Sequence, residues 1–406
     1  MRERAIHLRA RSAGILASPA AGIFLWSRLG VWLAAIWALE WFAPKPPPLQ
    51  RAWDSPFLHD LGYATDVWAR WDSAWFLRIA EHGYGSAQGT AAFYPLYPGI
   101  VAGLGRILGG HFLLAGLVLS LACCLAAFVL LERLAQPWLG DAGARRAVLY
   151  LAVFPMSLFL QAVYAESLYL VLVLAAFLYA ERGGFGKAGV AAGLALLTRP
   201  SAVALAPALA LLAWRSGDRL RAFASLLLAP VLFAAYPLTL WRQTRSPWGF
   251  LHSEGLWHRH ASPAGPFGGI WDGLVAGWQG FRQLASGSAE HVYRPLAGAE
   301  PLHVASVNLE GLGFLLVFCW LTWLAWRRLG AAYGLFAAAS LAIPLSVPSE
   351  RFPLLSLPRF GLVVFPFFLA LALVGDRPGR HAAILATSAL FLGVAVVQWS
   401  LWQWVS

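Results

Sequence analysis

Apolar runs of bilayer-spanning length recur from residue 20 to residue 403, separated by short connections that carry Arg. A spanning helix needs about 20 predominantly apolar residues. On that rule spans fall near 20–42, 111–133, 146–163, 165–181, 186–199, 200–214, 220–241, 306–326, 331–346, 358–375 and 381–403, eleven in all. Backbone polar groups in hydrocarbon must be satisfied within the segment, so an all-α polytopic membrane fold is expected. With 59% of 406 residues hydrophobic and 12% charged, no stretch is polar enough to clothe a separate soluble domain. A single membrane domain over 1–406 follows.

The segment Tyr94–Gly109 begins Tyr94-Pro95-Leu96-Tyr97-Pro98 and is too short to cross, which predicts a half-inserted helix. With the N-terminus cytoplasmic, Arg133, Arg145, Arg146, Arg182, Lys187, Arg215, Arg219, Arg221, Arg327, Arg328, Arg377 and Arg380 all fall on the inner side. The formal charge of +11 therefore orients the protein and implies no nucleic-acid partner. Two long loops, 43–110 and 242–305, face outward, where function tends to sit. Arg2, Arg4, Arg9 and Arg11 precede no small-residue cleavage site, so a removed signal peptide is not expected. Pro44 to Pro48 reads as a stiff exit from the first span. Trp399 to Trp404 reads as an outer aromatic belt, anchoring rather than chemistry. Cys123, Cys124 and Cys319 lie in apolar runs without ligand spacing, so neither a disulfide framework nor a zinc site is expected.

The densest polar run in the outer loops is Arg70-Trp71-Asp72-Ser73-Ala74-Trp75-Phe76 through Glu81-His82-Gly83-Tyr84. A helix over 66–82 would align Trp68, Trp71, Trp75, Phe76 and Ile79 on one face, as in an interfacial helix, with Asp72 at its edge. A partly desolvated carboxylate there can act as a general base; the alternative is that Asp72 solvates or caps the helix. Asp66 is the rival carboxylate, and it could equally be the N-cap. Glu166 opens a span as either a functional group or a favourable helix-dipole charge. Arg199 in Leu197-Thr198-Arg199-Pro200 either caps the preceding helix or binds an anion. Arg359 in Leu357-Pro358-Arg359-Phe360 is placed to grip a phosphate, or to snorkel. In the second loop, His258 and His260 share no helical face and lack a carboxylate at metal spacing, which favours substrate contact or a solvated loop over a metal site. An amphipathic helix is expected around Ile270–Leu284.

The run from Arg70 to Tyr84, then Phe93-Tyr94-Pro95-Leu96-Tyr97-Pro98, Val163-Tyr164-Ala165-Glu166-Ser167-Leu168, Leu197-Thr198-Arg199-Pro200 and Leu357-Pro358-Arg359-Phe360, resembles the PIG-V-like mannosyltransferases. These are integral membrane enzymes of the GT-C glycosyltransferase class, related to the enzyme that adds the second mannose to glycosylphosphatidylinositol anchors. The resemblance implies a polyprenyl-phosphate-mannose donor, a glycolipid or other glycan acceptor, and extracytoplasmic chemistry. It places the catalytic base on Asp72 and a sugar-stacking face on Trp71. Arg199 and Arg359 would neutralise the leaving phosphate, and Glu166, Tyr84 and Tyr94 would orient sugar or acceptor. Arg70, His82 and His258 complete the substrate-binding candidates. No cofactor or metal is implied, since Arg can manage a monophosphate. A composition rich in Arg, Ala, Leu and Gly fits a bacterial plasma-membrane homologue, for which the glycosylphosphatidylinositol acceptor does not carry over. A transporter or flippase for a lipid-linked sugar, a GT-C enzyme using another polyprenyl-phosphate sugar, and a noncatalytic subunit remain the competing readings. The apolar surfaces at Tyr94–Gly109 and Phe360–Phe368 are the expected doorway for the lipid tail.

Overall fold

The computed structural model describes residues 18–42, 54–253, 255, 258–290, 292–294 and 300–405. The basic N-terminus, the run Pro44 to Pro48, and Trp257 lie outside them. The described residues are helical nearly throughout: α1 (Pro19–Trp41), α2 (Tyr63–Asp66), α3 (Ser73–His82), α4 (Leu96–Ile107), α5 (Phe112–Val153), α6 (Glu166–Glu181), α7 (Phe185–Leu196) and α8 (Leu205–Trp214). There follow α9 (Arg219–Leu226), α10 (Leu228–Phe233), α11 (Ala235–Thr244), α12 (Pro266–Ser286), α13 (Pro301–Leu329), α14 (Ala331–Ser346), α15 (Leu357–Leu362), α16 (Pro366–Val374) and α17 (Pro378–Ser400).

Among the described residues five helical stretches are long and apolar enough to cross a membrane: α1, α5, the run Arg219–Thr244, α13 and α17. The eleven expected spans do not all appear as full-length helices. Phe185–Leu196, Pro200–Trp214 and Ala331–Ser346 are shorter apolar helices. The expected span 358–375 is two helices, α15 and α16, with Pro366 opening the second. Broken helices survive at membrane depth where protein satisfies their backbone groups. The expected spans 111–133 and 146–163 meet in α5, where Gly140 takes φ 65° and ψ 179° just after Pro137, so 112–139 and 141–153 are separate arms. The segment expected to be half-inserted carries α4, 12 residues long.

The turns expected on the inner side gather at one end. Trp138 beside Gly140 donates to the Tyr333 hydroxyl at 3.2 Å, and Arg146 donates to Ala372 O at 3.4 Å. Nearby, Tyr150 Oη lies 2.8 Å from His381 Nδ1. α12 packs its glycine face against its neighbours so closely that a methyl group at Gly269 would collide with the Leu345 carbonyl, and one at Gly280 with the Ala305 carbonyl. Its opposite face exposes Phe267, Trp271 and Trp278, the amphipathic pattern expected for the second loop.

Buried Arg28 on α1 supports the segment leading to α6. Its Nη1 donates to Ser157 O and its Nη2 to Ala152 O, both at 2.7 Å, where the arm 141–153 ends. Carbonyls freed at a helix end need such partners.

The expected single helix over 66–82 is instead two helices, α2 and α3. Trp71 between them adopts φ +50°, a conformation that interrupts an α-helix and that a bulky residue rarely takes. Its apolar face is also not at an interface: Trp68, Trp71, Phe76 and Ile79 are buried against protein. The proposed lipid doorway at 360–368 is corrected in the same way, because Phe365, Phe367 and Phe368 are core residues.

Candidate active site

Backbone ties bring the sequence-distant segments together. Val163 N–H donates to Trp68 O at 2.9 Å, and Leu96 N–H donates to Leu197 O at 2.9 Å. Tyr164 Oη then bridges the strained corner before α3, accepting from Asp72 N–H at 3.1 Å and donating to Arg70 O at 3.2 Å. Trp399 Nε1 on α17 donates to Val67 O at 2.6 Å.

Asp72 occupies the N-cap position of α3, but its side chain makes no capping hydrogen bond. The carboxylate turns inward instead, and Oδ2 lies 2.9 Å from Arg359 Nη1. Arg359 also reaches Glu166 Oε1 through Nε at 3.6 Å, and the same Oε1 takes Arg199 Nη1 at 2.8 Å. Glu166 stands in the first turn of α6 as expected, and it is buried. The result is a chain of charges, Asp72–Arg359–Glu166–Arg199, along one wall of a cavity of about 310 Å³. Charge-assisted pairs of this kind are strong where water is scarce.

A third cation completes the wall. Arg259, from the second long loop, donates to Val347 O at 3.0 Å and Leu355 O at 2.9 Å. Its guanidinium lies 5.7 Å from the Phe360 ring, which Arg199 approaches at 5.4 Å and Arg359 at 5.7 Å. Three guanidinium groups therefore surround one aromatic ring, each within cation–π range. Three arginines against two carboxylates leave the lining with one net positive charge. Apolar and aromatic groups, among them Phe93, Tyr94, Ile343 and Val363, supply most of the remaining wall. Such a cavity can hold an anionic group at its charged wall and an apolar chain beside it. Among the described residues no group of three or more His, Cys, Asp or Glu converges as a metal site would require.

Of the candidates read from sequence, Asp72, Tyr94, Glu166, Arg199 and Arg359 share this lining. Trp71 does not; its ring packs edge-on against Trp402 at 5.7 Å and Trp404 at 5.4 Å. Arg70 is buried outside the cavity, donating to Asp66 O at 2.7 Å and stacking 4.4 Å over Trp402. Burial pushes its pKa down to about 10, with Asp54 and Asp66 opposing the shift. Tyr84 lies outside the lining: its hydroxyl donates to Phe93 O at 2.7 Å, and burial, reinforced by Tyr236 and Tyr94, pushes its pKa well up. His82 is exposed at the end of α3 against Phe57, and His258 is exposed at φ +53°, with its carbonyl accepting from Glu350 N–H. Asp66 is not the N-cap of α3; it holds the first long loop, accepting from Asp60 N–H at 3.0 Å.

Sequence reading passed over three residues. Arg259 adjoins the chosen His258, Tyr164 stood inside a quoted motif, and Trp404 was assigned to an anchoring belt. That belt is corrected: Trp399 and Trp402 are buried, and Trp404 lines the cavity.

Residues 60–204, which carry Asp72, Tyr164, Glu166 and Arg199, match the family model described as Mannosyltransferase (PIG-V). Over that segment the chain is similar to the PIG-V mannosyltransferases. Over 142 residues it is 34% identical to GPI alpha-1,6-mannosyltransferase 2 of Mus musculus, a stretch covering 31% of this chain and 28% of that protein. Among solved structures, ArnT from Cupriavidus metallidurans in the apo state superposes on this PIG-V-like chain with a TM-score of 0.50 and 17% identity, over 93% of this chain and 64% of that one. ArnT bound to undecaprenyl phosphate gives 0.49 and 17%, over 92% and 63%. The chain thus aligns with under two thirds of the length of each. The fold of the PIG-V-like chain is the GT-C fold of an integral membrane protein.

Proposed function

We propose that this protein is an inverting glycosyltransferase that moves a mannosyl residue from polyprenyl-phosphate-mannose to a hydroxyl of an extracytoplasmic glycolipid or glycan. The observation that carries this reading is the ion-paired row Asp72–Arg359–Glu166–Arg199 beside Arg259 on an otherwise apolar cavity, built largely from the PIG-V-matched segment. In the proposed step the acceptor oxygen attacks the anomeric carbon as its bond to the phosphate oxygen breaks. The acceptor proton passes to Asp72, and polyprenyl phosphate leaves with the bonding pair. Before substrate enters, Arg359 holds Asp72. A donor phosphate competes for the same guanidinium, which frees the Asp72 carboxylate to act as base just as its partner is needed by the leaving group.

Arg199 and Arg259 set positive charge against the negative charge that grows on the departing phosphate, the electrostatic share of the catalysis. On this reading the arginines take the place a metal ion has at a diphosphate leaving group, and chelator treatment leaves the rate unchanged. The three arginine-bearing turns that meet at the opposite end of the bundle support an extracytoplasmic placement of the cavity through the positive-inside rule.

The test is transfer of radiolabelled mannose from polyprenyl-phosphate-mannose by protein in nanodiscs, with a lipid extract of the source cell as acceptor. Label in a new glycolipid with wild type and none with Asp72→Asn supports the reading. Donor crossing the bilayer without any label transfer would replace it with the flippase reading.

A further inference from the structure

Behind Trp404 lies a second cavity of about 60 Å³, and Leu355, Ser356 and Trp404 line both chambers. The indole therefore stands as a partition. The far chamber is walled by His303, Ser306 and Glu310, which share one face of α13, and by Gln398 of α17. Its chemistry is opposite to that of the first. No Arg or Lys lines it, and Glu310 contributes a carboxylate, so an anionic group is disfavoured there. Gln398 and His303 each offer a donor and an acceptor, while Ser306, whose hydroxyl donates to His303 O at 2.8 Å, and Glu310 offer acceptors, which is the set that hydroxyl groups need. The volume is about that of two liquid waters, enough for a hydroxymethyl group or a vicinal diol and not for a whole ring.

Two further observations bear on the occupant. Ser356 and Trp402, which flank the partition, hold positive φ values of 62° and 60°, so the wall keeps a geometry that its residues do not prefer. Toward the inner end of α13, Val317 and Trp320 continue the Glu310 face and are exposed, offering an apolar track to a chain that rises from the bilayer.

We propose that the chamber behind Trp404 is the acceptor subsite, gripping the neutral polyhydroxyl edge of a lipid-borne sugar or polyol, with Trp404 as the wall between that edge and the donor phosphate, so that the hydroxyl to be glycosylated stays outside the chamber and free to face Asp72. The assignment rests on the transferase reading, and its test is separable from that reading. In a background carrying Cys123→Ala, Cys124→Ala and Cys319→Ala, Ser306→Cys reports on the second chamber and Ser201→Cys on the first, each through its rate of reaction with a methanethiosulfonate. Saturating n-octyl α-D-mannopyranoside slows labelling at 306 about tenfold, and decaprenyl phosphate leaves that rate unchanged. Gln398→Leu removes the glycoside protection without altering decaprenyl phosphate protection at 201.

Labelling at 306 that ignores the glycoside, or that slows with decaprenyl phosphate, overturns the assignment. If Ser306→Cys fails to fold, Val307→Cys on the same lining serves as reporter. Loss of protection at 201 by decaprenyl phosphate, with protection at 306 intact, would count against the donor reading alone.

Discussion

Arg359 Nη1 lies 2.9 Å from Asp72 Oδ2 although 287 positions separate the two residues. The pairing joins the first long loop to a short helix near the end of the chain, and the guanidinium extends on to Glu166. Replacing Asp72 by Asn removes the proposed base while leaving Arg359 with a weaker competitor. Transfer should fall about 10³-fold, within the range for general-base loss. Donor affinity, read with radiolabelled polyprenyl-phosphate-mannose, should hold or tighten. Weakened donor binding would count against the competition between carboxylate and phosphate.

Arg359→Lys tests geometry at constant charge. An ammonium is one point of charge and cannot span Asp72 and Glu166 as the planar guanidinium does. The expected loss is about 10²-fold in kcat. A variant with wild-type kcat would show that charge alone suffices at this position.

His258 and Arg259 are neighbours with opposite expectations. His258→Ala changes an exposed side chain, and its effect should stay within about 0.5 kcal/mol in stability. Arg259→Ala leaves the Val347 and Leu355 carbonyls without their donor and takes a charge from the cavity. Donor KM should rise about tenfold, as for loss of a charge-assisted contact near 1.4 kcal/mol. Steady-state kinetics on both variants decide which of the two belongs to the site.

Tyr164→Phe deletes a hydroxyl that receives Asp72 N–H and donates to Arg70 O. Leaving these buried groups unmet should cost about 1–3 kcal/mol in a thermal shift assay. Activity should fall with Asp72 misplaced, and a fall in melting temperature without any change in kcat would confine Tyr164 to stability.

Glu166, Arg199 and Arg359 were legible because each stands in a short motif at the end of an apolar run, and Asp72 because it stands in the densest polar run of a long loop, places where an ionisable group invites a reason. Arg259 was not, since its place in the cavity depends on the loop 258–262 returning to lie against 346–350, with His260 N–H donating to Pro348 O and Ser262 N–H to Ser346 O. No local pattern encodes that return. The break at Trp71 was hidden for a related reason. The aromatic spacing over 66–82 fits a helix, and only the packing of Trp71 against Trp402 and Trp404 accounts for a left-handed residue inside it. The terminal tryptophans read as a membrane belt because the same indoles suit an interface and a protein core.

The glycine face of α12 gives the second loop an unusual stiffness. Where side chains mesh, a helix can slide by a fraction of a rotamer; where its backbone rests on the carbonyls of Leu345 and Ala305, it has no such slack. Arg259 leads into that helix, so its reach into the cavity is gauged by contacts made well downstream. A single methyl group added at Gly269 would act as a shim under the helix, tilting the arginine away from the charged wall without touching the cavity itself.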